Sequence, residues 1–311
     1  RREFKRMKNV HYHMGHVKEI DVERMTVRTS YETISYDRLV IAAGTTNNFF
    51  GMPEMEKKVY CMKTVGEASH TRDEILDRLE RAAICKDPVR RRELLTFLVV
   101  GGGPSGVEIA GAIGEMKKYV LPREYPELDP DEMNITLVEG SPRILGAMKQ
   151  ECSEKAEKYL KSLMVNVRVN TMLKSYDEKI VTFADGTREY WETVIWNAGV
   201  KGEPMPGLQP QLASRGGRIP VDRFNRVIGL EDSVMALGDI ALMTTDKYPY
   251  GHPQVAQPAI QQARNLAKNL NKGKWDDARL EDLLKSTVIQ LIYKEARRSG
   301  KPVFCIVDDT I

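Results

Sequence analysis

The stretch "LTFLVVGGGPSGVEIAGAIGEM", Leu95 to Met116, decides the reading of this chain. "LLTFLVV" (Leu94–Val100) is a short apolar run rich in β-branched residues, the pattern of a buried strand. Gly101, Gly103 and Gly106 follow at G-x-G-x-x-G spacing, and Val107, Ala110, Ile113 and Gly114 then recur on one helical face. The first glycine makes the tight turn, the second lets a pyrophosphate approach the backbone, and the third lets helix pack on strand. The phosphates would rest on the helix amino terminus, where free N–H groups and the dipole favour anions. A bare G-x-G-x-x-G is a weak signal. Set between a strand and a helix it indicates dinucleotide binding, with a glycine turn used only for packing as the plainer reading.

The next strand, "NITLVEG" (Asn134–Gly140), ends in Glu139. A carboxylate there accepts hydrogen bonds from the adenine ribose hydroxyls and repels a 2′-phosphate, which favours NADH over NADPH. Glu139 lies farther from the glycines than the usual ~20 residues. The excess is the proline-containing extension "KKYVLPREYPELDPDEM", and Arg143 close by softens the preference.

Around this core the composition is that of a soluble globular protein. The chain has 311 residues, 41% hydrophobic and 29% charged, enough for about two domains of ordinary size. A net charge of +3 gives no reason to expect nucleic-acid binding. No apolar run approaches the ~20 residues of a membrane span. "RREFKRMKNV" has a basic start but no apolar segment, so it is no signal peptide, and it lacks an initiator methionine, which points to a piece of something longer. Cys61, Cys85, Cys152 and Cys305 stand alone, without C-x-x-C spacing. They read as structural or incidental thiols in a reducing compartment, and no metal site is indicated.

The chain also contains a repeat. Tyr36, Asp37, Leu39, Val40, Ile41, Ala43 and Gly44 fall opposite Trp191, Glu192, Val194, Ile195, Trp196, Ala198 and Gly199 at an offset of 155, from Gly44 to Gly199. The strands before them match at 156, Asp21 opposite Asp177 and Thr26 opposite Thr182. Each copy reads as a β-meander followed by an apolar strand ending in Ala-Gly, which indicates two homologous domains. The second copy is preceded by the glycine turn, its helix and the Glu139 strand. The first has no such unit before it, so the comparison predicts an incomplete first domain.

These residues resemble the two-dinucleotide-domain flavoprotein reductases, most closely the type II NADH:quinone dehydrogenases. "YDRLVIAAGTTNNFFGM" is similar to that family's strand and A-G-T loop, and "FLVVGGGPSGVEIAGAIGEM" to its NADH fingerprint. "SVMALGDIA" resembles its second flavin motif, and "PQVAQPAIQQARNLAKNL" the helix whose start faces flavin and quinone. The resemblance spans about Asn9 to Lys274. It implies an α/β fold of two Rossmann-like domains in three-layer ββα form, the first incomplete. A partial FAD domain would comprise 1–94 and 200–274, with an NAD(H) domain at 95–199.

The implied activity is hydride transfer from NADH to FAD, then two electrons to a quinone. NADH would be held by Gly101, Gly103, Gly106, Glu139 and Gly199. FAD would be held by Ala43, Gly44, Thr45, Gly238, Asp239 and Gln257. Asp239 would bind the ribityl chain, with an N-capping role as its competitor. Gln257 and Gln261, four apart on one helix face, would donate to a flavin or quinone carbonyl, against a reading as exposed polar positions. Glu108, on the first turn of the glycine helix, resembles an acid near the nicotinamide, with a helix-dipole partner as the rival. The family further implies peripheral attachment at the inner face of the cell membrane, this chain itself being soluble and cytoplasmic without its anchor, and a possible homodimer. The absence of C-x-x-C between Leu95 and Gly199 argues against a thioredoxin-reductase-like relative.

After Lys274 the resemblance stops. Leu280, Leu283, Leu284, Val288, Leu291 and Ile292 form one helical stripe, which by periodicity alone also suits an interfacial membrane helix. "VFCIVDDT" resembles the transposase strand that carries a first metal-binding aspartate, matching Asp308, so 275–311 reads as a foreign tail. Three other functions remain open: an NADH-binding remnant without flavin, a non-quinone reductase of the same superfamily, and a transposase-derived DNA binder, the last disfavoured by the small net charge.

Overall fold

The computed structural model describes residues 11–203, 205–208, 215–270 and 303–307. Along the chain, β1 (Val17–Asp21), β2 (Thr26–Thr29) and β3 (Thr33–Ser35) precede β4 (Arg38–Ala42) and β5 (Thr45–Asn47). Helices α1 (Val65–Ile84) and α2 (Pro88–Leu94) lead to β6 (Thr96–Val100), α3 (Pro104–Glu115), the short α4 (Leu121–Glu124), β7 (Asn134–Val138) and α5 (Gln150–Ser162). Then come β8 (Asn166–Arg168), β9 (Leu173–Asp177), β10 (Ile180–Phe183), β11 (Arg188–Tyr190) and β12 (Thr193–Trp196). The remaining described elements are β13 (Val200–Gly202), β14 (Ile219–Val221), β15 (Val234–Ala236), β16 (Ala241–Met243), α6 (Ala256–Leu270) and β17 (Val303–Val307). They form two compact units, one of residues 47–199 and one drawn from the chain on either side of it.

The 47–199 unit is built on a parallel sheet in the order β12-β6-β7-β8. Side chains alternate across a strand, so β6 serves both faces of that sheet. Phe97 and Val99 pack with Leu79, Ala110, Ile113, Leu137 and Leu160 in a helical layer. Leu98 and Val100 pack with Val138, Val194, Tyr176, Val181 and Trp191, beneath the antiparallel meander β9–β11. The result is the expected helix, sheet and meander sandwich. Strands buried on both faces read as unbroken apolar runs, which is why "TFLVV" and "TVIW" lack alternation.

The boundary of this unit lies at Asn47, where the sequence reading drew it at Leu95. The reason is α1, which starts at a capping box formed by Thr64 and Glu67 and buries Ile75, Leu79 and Ala82 in the same core as β6.

The other unit repeats the layering. Its meander β1–β3 packs Ile20 and Val27 against Leu39 and Ile41 of β4, while Val40 faces Met235, Leu237, Ala263 and Leu266. β4 runs between β15 and β17, parallel to both. Register corrects one detail of the repeat. Ile20 pairs with Val27 and Tyr176 with Val181, all four buried, so Thr26 corresponds to Ile180 and not to Thr182. The turn after Asp21 holds Val22 to Met25 where the turn after Asp177 holds only Glu178 and Lys179. The hairpin absorbs the difference before the chain regains the offset at Tyr36. The stripe from Leu280 to Ile292, and Asp308, lie outside the described residues. No described helix is long and apolar enough to cross a membrane.

Candidate functional site

β6 ends at Val100, and Gly101 turns the chain with a φ of 110° that only glycine adopts readily. A Cβ on Gly101 would run into the Asn197 carbonyl, and one on Gly106 into the carbonyl of Gly101. A Cβ on Gly103 would meet nothing within 4 Å. Gly103 is also the N-cap of α3 and offers no side-chain cap to the first-turn amides. Two glycines are thus required by the fold itself, and the third opens a space above a helix start with amides to offer. That division is the one a pyrophosphate cradle needs.

At the tip of β7, Glu139 bends back over this turn. The Gly102 amide donates to its carboxylate at 2.6 Å, and the Ser141 amide donates at 2.8 Å, with the Ser141 hydroxyl a third donor. Gly102 makes that approach possible, since a Cβ there would lie 2.9 Å from the Glu139 Cβ. The charge is fixed in place before any ligand arrives. Arg143 is turned the other way: its guanidinium donates to the carbonyls of Gly146 (2.6 Å), Met148 (2.8 Å) and Leu145 (3.4 Å). With those donors committed, the softening role expected for Arg143 has no visible support.

Glu108 is exposed on α3. Gly199, just past β12, has a φ of 155°, and its amide oxygen accepts from the Asn48 amide at 3.0 Å. The Trp196 indole donates to the Asn48 carbonyl at 3.0 Å, so the loop from Asn48 is tied to the end of β12 twice. That loop carries Phe50, 59% exposed, with a φ of 48° and its ring against Gly199. The sequence reading passed over Asn48 and Phe50. Their only signal was the "NNFF" that follows the A-G-T loop.

The proposed flavin residues belong to the other unit. Ala43 and Thr45 are buried, and the Thr45 hydroxyl has no hydrogen-bond partner among the described residues. Gly44 (φ 69°) and Gly238 (φ 74°) hold left-handed turns at the ends of β4 and β15. The Gly238 amide donates to Oε1 of Gln262 at 2.8 Å. Gln262, buried on α6, is a residue the sequence reading missed, while Gln257 and Gln261 are exposed. Asp239 is not an N-cap: the short helical turn there is capped by Leu237 without a side-chain bond. Its carbonyl accepts from Arg218 (3.1 Å) and Gln254 (3.2 Å). Burial lowers the Arg218 pKa and the nearby Asp239 charge partly opposes this.

Comparison with known proteins gives the family. The family model for pyridine nucleotide-disulphide oxidoreductase matches residues 2–263. The type II NADH:quinone oxidoreductase NdhA of Mycobacterium tuberculosis is 33% identical over 292 residues, covering 88% of this chain and 60% of that protein. The external alternative NADH-ubiquinone oxidoreductase of Yarrowia lipolytica mitochondria is 32% identical, covering 76% of this chain and 41% of that protein. The chain therefore spans three-fifths or less of these relatives. The solved structure of NDH2 from Plasmodium falciparum in complex with NADH superposes with a TM-score of 0.70 at 22% identity, over 96% of this chain and 63% of that one. That likeness shows the shared fold. With the family model matching most of its length, the chain belongs to the pyridine nucleotide-disulphide oxidoreductase family, and its relatives there are type II NADH:quinone oxidoreductases.

Proposed function

We propose that the 47–199 unit binds NADH and presents its hydride within an NADH:quinone oxidoreductase. The observation that carries this reading is Glu139, held by Gly102 and Ser141 at the strand tip beside an open, uncapped helix start. Gly101, Gly103 and Gly106 would let the pyrophosphate rest on α3, and Glu139 would accept from the adenine ribose. Gly199 would flank the nicotinamide, with the Phe50 ring beside it limiting how the ring can lie. Glu108, one turn into α3, would set the field there. Hydride chemistry belongs to the nucleotide, and the protein supplies position and electrostatics.

In the whole protein the acceptor would be FAD, which supplies a two-electron carrier to quinone. Thr45, Gly238, Asp239 and Gln257 would serve its ribityl and ring end, with Gln261 beyond. No described residue of this unit offers a glycine turn for its pyrophosphate end, so no step is derived through it. Quinone use, attachment at a membrane surface on the cytoplasmic side and pairing with a second copy belong to the same reading. The direct test is binding of NADH to the purified chain by quenching of intrinsic fluorescence. Failure to bind in the micromolar to millimolar range would remove the proposal.

A further inference from the structure

We infer that β17 completes the parallel sheet of the first unit, in the place that the glycine-turn strand β6 holds in the second, and that it carries a valine where a dinucleotide turn has its first glycine. In the second unit β12 has Tyr60 along one edge and β6 along the other. The Trp196 amide donates to Tyr60 and the next amide, that of Asn197, donates to Val100 of β6. In the first unit β4 has β15 along one edge and β17 along the other. The Leu39 amide donates to Ser233 on the β15 side. Backbone amides alternate between edges, so Leu39 and Ile41 face β15 while Val40 and Ala42 face β17. The repeat sets Ile41 opposite Trp196, so the edge held by β17 is the one held by β6.

The register agrees residue by residue. Ile306 stands opposite Ile41 as Val100 stands opposite Trp196. Val307 therefore falls at the position of Gly101. "VFCIV" is an unbroken apolar run, the sequence pattern of a strand inside a parallel sheet, and it pairs along its whole length with β4, whose Leu39, Val40 and Ile41 are fully buried. What it lacks is the glycine: a valine does not take the φ of 110° found at Gly101. Residues 303–307, part of the segment read from sequence as a foreign tail, are thus a structural member of the first unit.

The strand assignment stands independently of the proposed function, whereas its consequence for FAD rests on that reading. Hydrogen exchange at single-residue resolution tests it on the full chain and on a chain ending at Lys274. The full chain should protect the amides of 303–307. Truncation should speed exchange of Val40 and Ala42 by tenfold or more, with Leu39 and Ile41 changing less. If truncation loosens the whole unit, Ile306→Pro in the full chain supplies the milder variant, with the same two amides expected to respond first. Free-peptide exchange rates at 303–307, or Val40 and Ala42 unchanged by truncation, would overturn the assignment. The full chain, purified with added FAD and passed through gel filtration, should carry no flavin absorbance, and near-stoichiometric flavin would overturn the consequence for FAD. NADH titration of the same samples keeps the two proposals apart. Loss of NADH binding would sink the proposed function and leave the exchange pattern to judge the strand.

Discussion

Glu139 shows how one side chain sets nucleotide choice through the backbone it touches. Its carboxylate is held by the Gly102 amide and by Ser141, so the negative charge stands ready where an adenine ribose would be received. NADH should therefore bind at least tenfold tighter than NADPH, about 1.4 kcal/mol, and Glu139→Ser should narrow that gap. Fluorescence titration of both nucleotides decides it, and equal affinities in the unaltered chain would deny the carboxylate this role. The glycines separate fold from ligand more sharply. Gly106→Ala drives a methyl into the Gly101 carbonyl and should lower stability by about 1–3 kcal/mol, as overpacking does. Gly103→Ala adds its methyl to open space, so thermal stability should stay within about 0.5 kcal/mol. NADH affinity should nonetheless fall tenfold or more, because the methyl fills the space left for phosphate. A Gly103→Ala chain that binds NADH normally would place the phosphates elsewhere.

At the level of elements, the glycine strand, its helix and the Glu139 strand were legible because backbone geometry dictates their residue types. The attachment of α1 and α2 to the same unit was not, because a buried ionic cluster joins them to β12. Glu192, at the start of β12, is almost fully buried, and Arg90 donates to both its oxygens at 2.9 and 3.2 Å. Tyr190 donates to it as well, and Arg78, buried on α1, lies 3.7 Å away. Such a cluster is built from residues 78, 90 and 192, whose spacing carries no pattern. The different turn lengths of the β1–β2 and β9–β10 hairpins were equally hidden, since a shared Thr suggested an alignment that only strand register could refute. Burial alone would raise the Glu192 carboxyl, yet the hydrogen bonds from Arg90 and Tyr190 and the charges of Lys179 and Arg90 hold it below the ordinary glutamate value. A carboxyl depressed in the folded state contributes stability above its unfolded pKa of about 4.3, and that stability is lost as pH falls through the folded value. Glu192→Gln should cost about 1–3 kcal/mol at neutral pH, because it removes the charged acceptor of the Arg90 and Tyr190 hydrogen bonds, while Arg78 keeps Glu74 and Asp77 beside it. It should also flatten the loss of stability on acidification. Thermal melts of both chains from neutral pH into the acid range check this. Parallel acid limbs would mean that other carboxyls carry the linkage.

Across the whole molecule, the two units repeat one layered plan but stand differently toward their ligands. The 47–199 unit holds β6, α3, β7, α5, a full meander and its own two-faced core, so it has what an independent domain requires. Its proposed NADH residues, from Gly101 to Gly199, all lie inside it. β17, by contrast, pairs with β4 in the other unit. Truncation after Lys274 should therefore leave NADH affinity within about 0.5 kcal/mol of the full chain, although it unsettles β4. A stronger form of the same argument removes the other unit altogether. A chain of residues 47–199 should fold cooperatively and bind NADH within that same margin, and it should retain the preference over NADPH, because Glu139, Gly102 and Ser141 travel together. Circular dichroism melts and nucleotide titration of the three chains measure this directly. If the 47–199 chain melts without cooperativity, or binds NADH much more weakly than the full chain, then the nucleotide site depends on the other unit, and the division of labour argued from the two cores is wrong.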